Sequence, residues 1–227
     1  MSRRGYILED SWYLDHVVGA PVTTGQDMLL RAHLELSSDA KARAEAMERV
    51  GGAMLEVGLQ EVAANDFSLS ADHIFALDEA RSGPAAQMPD EPGPVTGDMP
   101  DCFPQVLQDF IAQTGRPIRW EFLGPGLKKA MLWTGDCDDR LWLLRARPGV
   151  SIPAHGHAGT ELTLVLQGSF LDGEQRFCRG DVEEASPEVE HDILIGEGEE
   201  CICLALTEGK LRFKETVPRL FQLFTGL

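Results

Sequence analysis

His155, His157, Glu161 and His191 are the side chains of this sequence best suited to hold a divalent cation. Imidazole nitrogens and a carboxylate oxygen are donors that borderline metals accept. His155 and His157 are two residues apart, so on a strand both imidazoles project to one face, close enough to grip one ion. Glu161 opens the run that follows. There Glu161, Thr163, Val165 and Gln167 share one strand face, and Leu162, Leu164 and Leu166 share the other. The carboxylate can therefore join the imidazoles. Three of the six histidines fall in this small pattern, which argues against surface residues placed by chance. Three neutral imidazoles and a carboxylate suit zinc in a closed tetrahedral site, or iron, manganese, nickel or copper with positions left open. Zinc is the first expectation.

The elements that must carry these residues divide the chain in two. Apolar residues recur at three and four spacing in Met28, Leu29, Ala32 and Leu36, and again in Ala44, Met47, Val50, Met54 and Val57. Helices are expected from Asp10 to Val18, Gly25 to Leu36, Asp39 to about Val57, and from the N-cap Ser70 to Ser82-Gly83. They are too few and too narrow to enclose a large core of their own. Residues 82–100 contain five prolines and three glycines, which exclude a regular element and read as a linker. A short helix is expected from Phe103 to Thr114. Beyond it come short strands: Trp120–Phe122, Lys128–Thr134, Leu141–Ala146, Glu161–Leu166, Gly168–Leu171, Gln175–Cys178, Asp181–Glu184, His191–Ile195, Cys201–Leu206 and Leu211–Phe213. Such spacing, with Gly and Pro between runs, predicts a closed antiparallel barrel or jelly roll. The expected fold is thus an α+β multidomain chain: a helical domain over 1–81, a linker over 82–100 and a β-barrel domain over 101–227.

Composition narrows the functions. With 227 residues, 43% of them apolar, there is material for a substantial core. The formal charge of −17 leaves little with which to displace counterions from a phosphate backbone, and each half of the chain divided at residue 100 is acidic. Direct nucleic-acid binding is not expected, whereas a basic protein partner would be attracted and steered. The longest apolar run, Cys201–Leu206, is far too short to span a membrane, and the start of the chain lacks the apolar core of a signal peptide. A cytoplasmic protein with no membrane contact is expected. Five cysteines without a C-x-x-C pair argue against a disulfide framework and against a thiolate zinc finger.

Other residues carry weaker signals. Cys201 and Cys203 face one way on a strand and could form a redox pair near the metal, although burial as small apolar residues is the simpler expectation. Glu183, Glu184, Glu188, Glu190, Glu197, Glu199 and Glu200 read as a solvated acidic face. Glu190 directly precedes His191 and could orient it or line the pocket mouth, as could Thr163 beside Glu161. Trp120, Trp133 and Trp142 read as core. His16, His33 and His73 read as ordinary surface or packed histidines. The chain has no phosphate-cradling glycine loop, no nucleophile elbow and no internal repeat.

The spacing Gly149-x5-His155-x-His157-x3-Glu161-x6-Gly168 resembles the first cupin motif at every position. The second motif is looser: Gly180 stands at the expected distance before His191, Pro187 is one residue late, and Glu188 occupies the place of a glycine. The resemblance implies a small double-stranded β-barrel with a divalent metal held by three His and one Glu. A closer likeness runs through His155 to Phe170, then Arg176-Phe177, Gly180-Asp181, Glu190-His191, Cys201 to Ala205 and Leu211-Arg212-Phe213. These stretches are similar to the C-terminal domain of the ChrR anti-sigma factors, and His33-Leu34-Glu35-Leu36, Ala42-Arg43-Ala44 and Val50-Gly51-Gly52 resemble the family's helical half. The likeness implies a helical domain that binds an extracytoplasmic-function sigma factor and a metal-bearing cupin domain that senses singlet oxygen, a related oxidant or a small ligand. One departure stands out. Zinc-binding anti-sigma domains carry His-x3-Cys-x2-Cys, and this chain has His33-x3-Ser37-x2-Ala40, so the usual N-terminal zinc site cannot form.

Two other functions fit the same residues. A cupin metalloenzyme, a dioxygenase or a hydrolase cleaving a diketone-like substrate, would use the four ligands catalytically, although no separate general base is evident. A small-molecule binding module with a structural metal needs no chemistry at all. Whether the chain forms a homodimer is left open by the sequence.

Overall fold

The computed structural model describes residues 6–64, 99–135, 139–187, 190–208 and 211–213. Its helices are α1 (Asp10–Val18), α2 (Thr24–Leu36), α3 (Ser38–Ala64) and α4 (Gln105–Thr114). A capping box in which the Thr23 hydroxyl and the Gln26 side chain each take up the other's backbone N–H starts α2. Gly19, in the left-handed region at φ 64°, ends α1. Helix α3 continues past the expected end near Val57, because Leu59, Gln60 and Glu61 are good helix formers that offset the roughly 1 kcal/mol cost of Gly58. The helix expected from Ser70, and the expected linker apart from Met99 and Pro100, lie outside the described residues.

Eleven strands follow among the described residues: β1 (Glu121–Gly124), β2 (Leu127–Thr134), β3 (Arg140–Ala146), β4 (Ser151–His157), β5 (Glu161–Gln167), β6 (Ser169–Asp172), β7 (Gln175–Cys178), β8 (Val182–Ala185), β9 (His191–Ile195), β10 (Cys201–Thr207) and β11 (Leu211–Phe213). They form a six-stranded sheet ordered β1-β2-β3-β10-β5-β8 and a five-stranded sheet ordered β11-β4-β9-β6-β7, with antiparallel pairing throughout. This is the two-sheet jelly roll that the spacing predicts.

Strand β4 is absent from the strands expected of the sequence. Pro153 and Gly156 within it suggest a loop, but Pro153 falls inside a bulge, where no ladder hydrogen bond is asked of it. Ile152 pairs with Ile193 and His155 with His191, so three steps along β4 match two along β9. The extra residue changes the parity of the strand and brings His155 directly opposite His191.

The central strands β3, β10 and β5 of the larger sheet are buried on both faces, which is why they read as near-continuous apolar runs and not as alternation. One face, with Trp142, Leu144, Val165, Cys201, Cys203 and Ala205, packs against Phe170, Phe177, Ile193 and Ile195 of the other sheet and forms the barrel interior. The opposite face, with Leu141, Leu143, Leu162, Leu164, Leu166, Leu204 and Leu206, packs against the helices through Tyr13, Leu29, Ala32, Leu107 and Ile111. The helices, too few to enclose a core by themselves, thus complete one on the outside of the barrel. Helix α2 lies so close to β10 that a Cβ on Gly25 would stand 2.5 Å from Leu206 Cδ1.

Candidate metal centre

His155, Glu161 and His191 come from three strands and meet inside the barrel, their ligand atoms within 4.8 Å of one another. Each is buried. Glu161 projects inward from the first position of β5, and His191 from the first position of β9. His191 Nε2 stands 4.0 Å from Glu161 Oε2, and the His155 and His191 rings are 4.7 Å apart.

The outer nitrogens of both rings are already engaged. His155 Nδ1–H donates to the carbonyl oxygen of Pro153 at 3.0 Å, a bond made within the bulge itself. His191 Nδ1–H donates to Glu183 Oε1 at 3.2 Å, with Asp172 Oδ2 at 3.7 Å. A carbonyl and a carboxylate can only accept here, so these contacts place the protons on Nδ1 and leave the Nε2 lone pairs for an ion.

The electrostatics agree with a cation's being wanted. Burial pushes the Glu161 carboxyl up to about 8, against the pull of His191 and with the Glu183 charge adding to it. Burial and the neighbouring His191 charge bring His155 down to about 4, so it is a neutral donor at physiological pH. Burial opposes charge on His191, but the hydrogen bond and charge of Glu183, with Glu161 and Asp172, outweigh it and raise its pKa. A divalent ion would supply the positive charge that the buried Glu161 lacks. The residues present therefore fit a metal; their types do not select which one.

His157 is on β4, its backbone opposite Leu211 of β11; its side chain lies outside the described set. Thr163 is half-buried and shares an inward row with Trp142, Ala205 and Glu183, one step from the row of Arg140, Thr207, Glu161 and Ala185. Cys201 and Cys203 are buried in the barrel interior with their Sγ atoms 3.6 Å apart, and the contact with Cys201 together with burial holds the Cys203 thiol well above its ordinary pKa. Glu190 is exposed. The carboxylate that reaches the His191 ring is Glu183, which is buried and does not belong to the solvated acidic face expected for it. Alternation puts Val182 and Glu184 of β8 on one face and Glu183 on the other, and the pairing with β5 makes that second face the one that carries Thr163 and Glu161.

His33 is buried, as a packed histidine. It lies between the Tyr13 hydroxyl and the Gly180 carbonyl, each at 3.0 Å, and burial brings its pKa down to about 4. Trp142 is core as expected, while Trp120 and Trp133 are partly buried against the core that the sheet shares with the helices. Among the described residues, Trp142 Nε1 and Thr207 Oγ1 are buried without a hydrogen-bond partner.

Residues 108–210 match the model of the ChrR cupin-like domain. Over 197 residues the chain is 38% identical to the anti-sigma-E factor ChrR of Cereibacter sphaeroides, covering 87% of each sequence. Its fold is similar to ChrR in the crystal structure of Rhodobacter sphaeroides SigE in complex with that anti-sigma factor, with a TM-score of 0.61 and 30% identity over 90% of this chain and 98% of the other. The likeness therefore runs through the helical part as well as the barrel, and the chain belongs to the ChrR family of anti-sigma factors.

Proposed function

We propose that this protein restrains an extracytoplasmic-function sigma factor through its helical region, residues 1–81, and that the barrel, residues 101–227, releases it on an oxidant or small-ligand signal. Residues 82–100 join the two. One divalent ion, zinc by first expectation, sits on His155, His157, Glu161 and His191, with Thr163, Cys201 and Cys203 lining the same interior. The observation that carries the reading is the 38% identity to ChrR along 87% of the chain, helices included. Acidity supports it: a net charge of −17 suits a partner whose own surface is basic because it binds DNA. The absent N-terminal zinc thiolates are offset by packing, since the helices bury Tyr13, Leu29 and Ala32 against the sheet and need no metal to close their core. Mixing the full-length protein with a purified extracytoplasmic-function sigma factor from the same organism should give a stable complex on size exclusion. Absence of a complex at micromolar concentrations would refute the proposal.

The unpartnered Trp142 Nε1 and Thr207 Oγ1 favour a small oxygen-bearing ligand in the barrel as the signal, because a buried donor left unmade costs about 1–3 kcal/mol. Thr207 stands directly opposite Glu161, and Trp142 shares the row of Thr163. Thr207→Val should weaken binding of such a ligand without changing metal content.

A further inference from the structure

Strand β8 and the turn before it touch both the candidate metal centre and the helices. On its inward face the buried Glu183 accepts from His191 Nδ1, and on its outward face Glu184 Oε1 accepts from Trp12 Nε1 of α1 at 3.3 Å. The backbone of Tyr6 is clamped at the start of the strand: its N–H donates to Asp181 Oδ1 at 3.0 Å, and its carbonyl accepts from the Val182 N–H at 3.0 Å. One residue earlier the Gly180 carbonyl accepts from His33 Nδ1 of α2. Gly180 has φ +86°, and a Cβ there would lie 3.0 Å from the Leu36 carbonyl oxygen, so α2 rests directly on this turn. The short stretch from Gly180 to Glu184 thus carries polar contacts of α1, α2 and the entering segment, together with the carboxylate behind a metal ligand.

We propose that Glu183 is a positioning residue for His191 and that β8 passes the state of the metal centre to the helices. The inference rests on the reading that His155, Glu161 and His191 hold a metal and that the helices hold a sigma factor. With an ion on His191 Nε2, the ring is fixed and its Nδ1–H pins Glu183, hence the register and tilt of β8. When the ring is released, Glu183 loses that anchor and is left to its contact with the Asp172 carboxyl. A cavity of about 430 Å³ beneath Tyr6 and Glu9, lined also by Asp172, Glu183, Glu184 and His191, gives the strand and its carboxylates room to move. Displacing β8 loosens Tyr6, Trp12 and His33 together, because all three bond to it or to its turn. Strand β8 is also an edge of the larger sheet, paired only with β5 among the described residues, so it can shift without breaking a second ladder.

Hydrogen exchange of the full-length chain, with zinc as the added ion, tests this. In wild type, zinc should slow exchange in the barrel and also in residues 6–18 and 24–36. Glu183→Ala should bind zinc about 10- to 100-fold more weakly, the usual cost of removing a carboxylate behind a ligand histidine, and at saturating zinc its helices should show no added protection. Glu183→Gln should regain most of the affinity, since its amide oxygen still accepts from Nδ1–H. Trp12→Phe should bind zinc as wild type does while losing most of the zinc-dependent protection in residues 10–18. Zinc-dependent protection confined to the barrel in wild type would overturn the relay, as would Glu183→Ala behaving like wild type. Two zinc ions per chain, one lost with Glu183→Ala, would also overturn it by making Asp172, Glu183 and His191 a site of their own. A wild type that binds no zinc, or no sigma factor, would instead refute the reading beneath it.

Discussion

Glu161 concentrates the conflict of the candidate metal centre in one side chain. It is buried, faces another buried carboxyl in Glu183, and has its carboxyl raised to about 8. An acid whose folded pKa lies above its unfolded value favours the fold below about 4.5, and that favour is lost as pH rises through about 8. Metal-free protein should therefore be less stable at pH 8 than at pH 5 on account of this group. Glu161→Gln should stabilise the metal-free chain at pH 8 by a few kcal/mol, at about 1.4 kcal/mol for each tenfold change in proton affinity, while abolishing metal binding. Urea unfolding of both proteins with chelator at the two pH values checks the sign. His33 shows the opposite sign. Its pKa falls to about 4 on folding, so its contribution is present above about 6.5 and is lost as pH falls through about 4. Replacing it with Gln, which titrates nowhere in this range, should cost stability at pH 7 and cost progressively less toward pH 4.5. A gap that stays constant with pH would show that His33 is not buried neutral.

At the scale of elements, the helix–sheet contact and the bulge matter most. Gly25→Val would drive two methyl groups into Leu206 and Trp133, whose atoms already stand 2.5 and 3.1 Å from a Cβ at that position. It should lower stability by roughly 1–3 kcal/mol, the range for overpacking, and loosen α2 from the barrel, as read by thermal unfolding and by exchange in residues 24–36. The periodic helices and the strand-and-turn rhythm of residues 121–207 are legible in the sequence because local pattern alone decides them. The grouping of His155, Glu161 and His191 is legible from spacing and from the cupin resemblance. Two features are not. Strand β4 is hidden by Pro153, which argues against a strand until its bulge is known, and that same bulge turns His155 toward His191. Glu183 is hidden in a run of acids, where only the pairing of β8 with β5 separates one buried carboxylate from its exposed neighbours. Both depend on long-range register, which no local pattern encodes.

For the whole molecule, the shared core changes how two domains in sequence should behave. Tyr13, Leu29, Leu107 and Leu204 sit in one continuous cluster, so the helices are docked on the barrel and are not simply tethered to it. On the proposed reading, release of a partner means undocking as well as signalling, and an ion in the barrel would act on the helices through this contact. Association with a basic sigma factor should weaken with salt: raising it from ~0.05 to ~0.5 M should slow binding by on the order of tenfold or more, whereas a wholly apolar interface would barely respond. On the proposed reading both that action and the signal depend on an ion in the barrel. The most direct measurement is the metal content of the purified, chelator-washed, full-length protein beside its His155→Ala variant. One divalent ion per chain is expected in the first and none in the second. No bound metal in wild type, or the same content in both, would contradict a metal-controlled anti-sigma factor.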